Sequence, residues 1–78
     1  MKTAIEDLVA RQSLFTHLLG RKMQHNKTGN WYRLTSLHWR EHDMKLCAGY
    51  ETLNREPITF SRPVEEIIDG RFDIGAAP

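Results

Sequence analysis

Cys47 is the only cysteine in the chain. It cannot close an internal disulfide, and alone it cannot supply a Cys-rich zinc site. No apolar run approaches the ~18 residues that a membrane span requires. Residues 1–10 carry Glu6 and Asp7 and lack the apolar centre of a secretory leader. Neither sign of charge dominates, since 11 Lys and Arg face 10 Asp and Glu, a formal net charge of +1. With 40% apolar residues, that balance excludes a disordered acidic or basic tail. Ser13, Ser36 and Ser61 lie in no G-x-S-x-G context, and no Gly-rich phosphate loop is present. There are no repeats and no low-complexity segment. These absences lead us to expect one cytoplasmic globular domain over residues 1–78, with no membrane segment, no cofactor and no enzymatic machinery. A chain of 78 residues buries only about 60% of its unfolded surface, so a partner is expected to complete it.

Apolar spacing predicts a helix over residues 1–23. Ile5, Leu8, Val9, Phe15, Leu18 and Leu19 follow the i, i+3, i+4 rule, with Leu14 widening the stripe. Thr3 and Glu6 form a capping box, and Gly20 suits a left-handed C-terminal position. Lys27-Thr28-Gly29-Asn30 is turn chemistry. From Trp31 the composition changes to aromatic and β-type residues, and residues 31–74 read as β-rich. Trp31–Trp39 is the first expected strand. Tyr32 and Leu34 share one face while Leu37 and Trp39 fall on the other, so a bulge near Thr35 or Ser36 is required. Residues 44–51 alternate more cleanly, and residues 58–61 form a third strand. Ser61 is positioned to cap a short helix over 63–69, with Pro63 and two glutamates in its first turn. Residues 71–74 are a candidate last strand, and residues 75–78 are expected to fray. The expected fold is α+β: an N-terminal amphipathic helix packed on a small antiparallel meander of three to four bent strands, with a short helix after the third.

Charge is unevenly placed. Residues 21–45 carry Arg21, Lys22, Lys27, Arg33, Arg40 and Lys45 against Glu41 and Asp43. Residues 46–78 carry six acids against Arg55, Arg62 and Arg71. Trp31, Tyr32 and Trp39 interleave with the basic segment. Cations beside aromatics are the ingredients of single-stranded nucleic-acid binding. The sequence pI near 8.0 lies below the range above about 9 that marks a dedicated nucleic-acid binder. The same asymmetry suits docking on another protein, or on a second copy head to tail. Arg21, Lys22, Lys27, Trp31, Arg33, Trp39 and Arg40 are therefore the candidate partner-binding residues.

His38-Trp39-Arg40-Glu41-His42 matches H-x-x-E-H, a metal-ligand pattern that works when both histidines share a helix face. Here it straddles a strand end and a turn, so His38 and His42 are weak metal candidates, and no metal is expected. Cys47 reads as a small apolar filler.

Residues 25–70 carry one longer pattern. It runs His25-x-Lys27-x-Gly29-x-x-Tyr32-Arg33-Leu34, then Glu41, then Tyr50-Glu51-x-Leu53, then Phe60-x-Arg62-Pro63-Val64-Glu65-Glu66-Ile67. This resembles a family of short bacterial and phage-borne proteins of unknown function, whose core reads roughly H-Y-K-G-x-x-Y-x-V, a hairpin, Y-x-x-L-Y and W-V-R-P-L-x-x-F. In this chain Thr28 stands between the lysine and the glycine, Phe60 replaces the aromatic-valine pair, and Ile67 stands for the last aromatic. The resemblance implies an SH3-like β-meander closed by an Arg-Pro short helix, and it implies no reaction. Independently of it, Tyr32, Tyr50 and Phe60 fall on three successive strands and are placed to stack. Arg62, held extended by Pro63, is placed to pair with Glu51 or a partner's carboxylate.

The reading that follows is a small non-enzymatic protein-binding module. By analogy with small accessory proteins of phages and mobile elements, it docks on a host protein. The alternative is a nucleic-acid-binding protein that uses segment 21–45.

Overall fold

A computed structural model describes residues 4–75. Helix α1 spans Ile5–Ser13 and is followed by a 3-10 turn, Thr16–Leu18. Five strands follow: β1 Lys22–His25, β2 Trp31–Arg40, β3 Lys45–Thr52, β4 Thr59–Pro63 and β5 Phe72–Ile74, with helix α2, Val64–Ile67, between the last two. All pairings are antiparallel, in the order β4-β3-β2-β1-β5. The α+β class and the antiparallel sheet are as expected.

The first correction concerns residues 14–25. The expected helix to residue 23 ends at Ser13: Phe15 leaves helical dihedrals (φ −117°, ψ 0°), a 3-10 turn follows, and Leu19 is already extended (ψ 135°). Lys22–His25 then pairs with β2 on one side and β5 on the other. A residue bonded on both flanks gains more from a ladder than from a helix end, and tertiary pairing overrides local periodicity. The sheet therefore has five strands rather than three or four. Ala4 occupies the N-cap position of α1, and the expected cap at Thr3 lies outside the described residues. Gly75 is not frayed, since its N–H donates to the Lys22 carbonyl (2.8 Å). Residues 76–78 of the expected tail lie outside the described residues.

Smaller boundaries also move. The second expected strand begins at Lys45, because Met44 takes a positive φ (53°) that closes the β2–β3 turn. The short helix is one turn, Val64–Ile67, with Pro63 at its N-cap position and the Ile68 N–H donating to the Val64 carbonyl at its end (3.3 Å). Ser61 does not cap it; its hydroxyl shares a hydrogen bond with His38 (2.9 Å).

The bulge lies where the alternation demanded it. The β2–β3 register shifts between Leu34 and Ser36, and Thr35 is the spare residue. Leu37 and Trp39 thereby rejoin the face of Tyr32 and Leu34. That inner face also carries Met23, Leu46, Ala48, Tyr50 and Phe72, and with Leu18, Val64 and Ile67 it makes the core.

Helix α1 contributes no buried side chain. Ile5 is 69% exposed and Val9 60%, so at these positions the stripe read as core packing faces outward, whereas Phe15 and Leu18, beyond the helix, pack on the core. The helix meets the sheet through Trp39. The indole N–H donates to Gln12 Oε1 (3.0 Å), and the Arg11 guanidinium lies 5.3 Å from the ring centroid.

The sheet covers its own core instead. Neighbouring strands stand about 4.8 Å apart, so side chains on β3 and β5, three positions apart, would be ~14 Å apart if the sheet were flat. The Tyr50 and Phe72 ring centroids are 5.7 Å apart. Arg62 on β4 reaches within 5.8 Å of the Phe72 ring on β5, although the two strands are the opposite edges. The sheet is rolled until its edges face each other across a seam.

Candidate functional site

The seam holds the most concentrated chemistry among the described residues. Tyr32, Tyr50, Phe60 and Phe72 share the inner face because each sits on an even step of its strand's register. Tyr32 meets Tyr50 edge-on at 5.1 Å and Phe60 at 6.0 Å, while Tyr50 stacks on Phe60 at 5.6 Å. His25, directly opposite Phe72 in the β1–β5 register, extends the row at 4.9 Å. Tyr50 and Phe72 are buried, whereas Phe60 is 44% exposed. The rings thus form a floor that solvent reaches at one edge.

Cations stand around this floor. Arg62 donates from Nε to Tyr50 Oη (3.0 Å) and from Nη1 to Glu66 Oε1 (3.0 Å). Arg71 donates from Nη1 to the same Glu66 oxygen (2.7 Å), and its Nε lies 3.3 Å from Asp69 Oδ2. The hydrogen bond to Tyr50 is the main influence raising the Arg62 pKa; partial burial opposes it, and Glu66 adds to it. Lys27, in the β1–β2 loop, has no ion-pair partner among the described residues. The loop is fixed by Gly29 at φ 76°, by the hydrogen bond between His25 Nδ1 and Thr28 Oγ1 (3.0 Å), and by Asn26 Nδ2 donating to the Gly70 carbonyl (2.8 Å).

Two adjoining cavities result. One of about 230 Å³ lies over the rings, between Tyr32, Phe60, Phe72 and Arg62. The other, about 560 Å³, is lined by Lys27, Arg62 and Arg71 together with His25, Asn26 and Thr28. His25, Thr28 and Arg62 belong to both, so the two form one groove with an aromatic floor and a cationic wall.

The seven residues singled out from sequence do not form one patch. Lys22, Trp31 and Arg33 come together on the outer face around a cavity of about 320 Å³. Their strands also bring acids there: Glu51 sits opposite Arg33, and Asp73 opposite Gln24. Arg33 donates to the Gly20 carbonyl (2.9 Å), and Arg21 is half-buried behind it. Trp39 is on the inner face under α1. Arg40 grips Asp43 with two donors, Nη2 at 2.6 Å and Nε at 3.0 Å, and this pulls the Asp43 carboxyl down from 3.8 to about 2. Only Lys27 reaches the groove. The acidic C-terminal third is folded back onto the basic segment; Lys45 Nζ donates to Glu65 (2.9 Å).

His38 and His42 do not converge. His38 points to Ser61 from the outer face, while His42 is largely exposed in the turn, 3.8 Å from Asp43. Among the described residues no three His, Cys, Asp or Glu side chains are grouped to hold a metal ion. Among the same residues, no helix is long and apolar enough to cross a membrane.

The Tyr32, Tyr50 and Phe60 row matches the sequence expectation, whereas the groove has no counterpart in it. Arg62 takes Glu66 as its partner rather than Glu51, at the helical-type i, i+4 spacing. Arg71 and Phe72 carried no local signal. No protein-family model, no curated protein and no solved structure matches the chain.

Proposed function

We propose that the chain is a small non-enzymatic module of SH3-like build that binds another polypeptide in the aromatic groove. One observation carries this reading: a row of rings, partly open to solvent, ends beside a lysine and two arginines that share a single carboxylate. Interface anchors are typically aromatic side chains and arginine, seated where water is excluded. The SH3-like reading is supported by a strongly curled five-strand antiparallel sheet with a short helix before its last strand. On the resemblance of residues 25–70 to short bacterial and phage-borne proteins, the partner would be a host-cell protein. Against the nucleic-acid alternative stands the dispersal of segment 21–45, whose cations pair with Asp43 and Glu65 or stand opposite Glu51 in register.

The test is selection from a randomised dodecapeptide library on the folded chain and on Phe60→Ala, whose ring is partly exposed and whose loss leaves the core in place. Enrichment of related peptides on the wild type, with affinity reduced by about tenfold or more in Phe60→Ala, is the expected result. Failure to enrich any peptide, or equal binding by both forms, removes the reading.

A further inference from the structure

We propose that the groove takes an acidic segment of the partner polypeptide, its carboxylates seated on Lys27, Arg62 and Arg71 and a neighbouring aromatic side chain resting on Tyr32 and Phe60. This rests on the reading of the chain as a protein-binding module and names the chemistry that the module selects.

Charge complementarity is the ground for it. Three cations from three separate elements (the β1–β2 loop, β4 and the approach to β5) line one cavity. Two acids answer them, Glu66 and Asp69, which leaves one positive charge without a counterpart. Arg62 Nη2, Arg71 Nη2 and Lys27 Nζ have no acceptor among the described residues. Glu66 shows what this wall accepts: one carboxylate oxygen already takes a donor from each arginine, at 3.0 and 2.7 Å. Arginine forks match planar carboxylates with two donors each, so a second carboxylate can be taken on the nitrogens left without an acceptor.

Other ligand classes fit less well. A cationic side chain would meet a ring row whose Phe72 face is already taken by the Arg62 guanidinium. A nucleic-acid strand presents phosphates at regular intervals and calls for a track of cations. Here the arginines converge on a single carboxylate, and the chain as a whole is nearly neutral.

The experiment uses the full chain and three fluorescent probes: a dodecapeptide of Glu, Phe and Ser, the same peptide with Gln for every Glu, and an oligothymidylate of equal length. Anisotropy titrations are run at low and high salt. The acidic peptide is expected to bind about tenfold more tightly than its Gln counterpart, with the difference shrinking as salt rises. Lys27→Glu, in an exposed loop and outside every ion pair above, is expected to weaken the acidic peptide by about tenfold while leaving the Gln peptide unchanged. Arg71→Gln provides a second variant with the same expected direction. Equal binding of the Glu and Gln peptides, or failure of all three probes, overturns the acidic preference, while the library selection decides separately whether the module binds peptides. Tighter binding of the oligothymidylate, lost in Lys27→Glu, overturns both this inference and the protein-binding reading.

Discussion

Arg40 and Asp43 illustrate how a local charge is used up before it can serve a partner. The guanidinium fork lowers the Asp43 carboxyl from 3.8 to about 2, first through its hydrogen bonds and then through charge. A depressed folded value means that the pair contributes fully above the ordinary carboxylate range and is lost as pH falls toward about 2. A carbonyl-detected NMR titration should place the Asp43 midpoint near 2, and Arg40→Gln should move it back toward 3.8, short of it because the Lys45 N–H still donates to the carboxylate. An ordinary midpoint in the wild type would show that the fork is not held in solution. Little of this pairing was legible at the residue scale. Arg40 and Asp43 are only three apart, yet their pairing is not among the sequence expectations, which count Arg40 as a partner-binding cation. Lys45 with Glu65, and Arg62 with Phe72 at the groove, are arrangements made by strand order, which no spacing reveals.

At the scale of elements, the two ends of the first expected helix behave differently. Ile5 and Val9 face outward, while Leu18, from the same stripe, and Met23, at the end of the expected helix, are buried in a 3-10 turn and a strand. Changing Ile5 or Val9 to Ser should alter the unfolding free energy by no more than about 0.5 kcal/mol, as for surface positions generally. Met23→Ala should cost about 2–5 kcal/mol, because a fully buried side chain leaves a cavity. Urea denaturation of the three variants measures both. Comparable losses at Ile5 and Met23 would mean that α1 packs on the domain in solution. Strands β2 and β3 were legible because alternation is strong there and Thr35 interrupts it at one place. Strand β1 was not, since Lys22–His25 holds one strongly apolar residue, Met23, and owes its form to neighbours on both sides.

For the molecule as a whole, the rolled sheet replaces the helix as the cover of the core. Phe72 is the keystone: it touches His25, Tyr32, Tyr50 and Arg62, which lie on four different strands. Phe72→Ala should cost about 3–5 kcal/mol, typical of a buried ring. Total stability for this length is on the order of 4–12 kcal/mol, so that one change consumes much of it. Denaturant titration checks the loss. In the wild type, the Arg62 side-chain protons should also show upfield ring-current shifts that vanish in the variant. A loss below about 1 kcal/mol would mean that the seam stands open in water. The α+β class was readable from composition and period; the roll was not, because it depends on the two edge strands, β4 and β5, meeting across the seam.

The position of β1 in the strand order has a kinetic corollary. β2, β3 and β4 can zip together as successive hairpins, each closing a short loop. β1 joins β2 by an equally short hairpin, but its far edge takes β5, so the pairing of Met23 with Ile74 must wait for the end of the described chain. Long-range closure is the slow step in small β proteins, because chain entropy is surrendered before contacts repay it. The half of the groove built from Phe72 and Arg71 is therefore assembled last. A chain caught before that moment would already possess its meander, yet lack the surface on which its partner is to land.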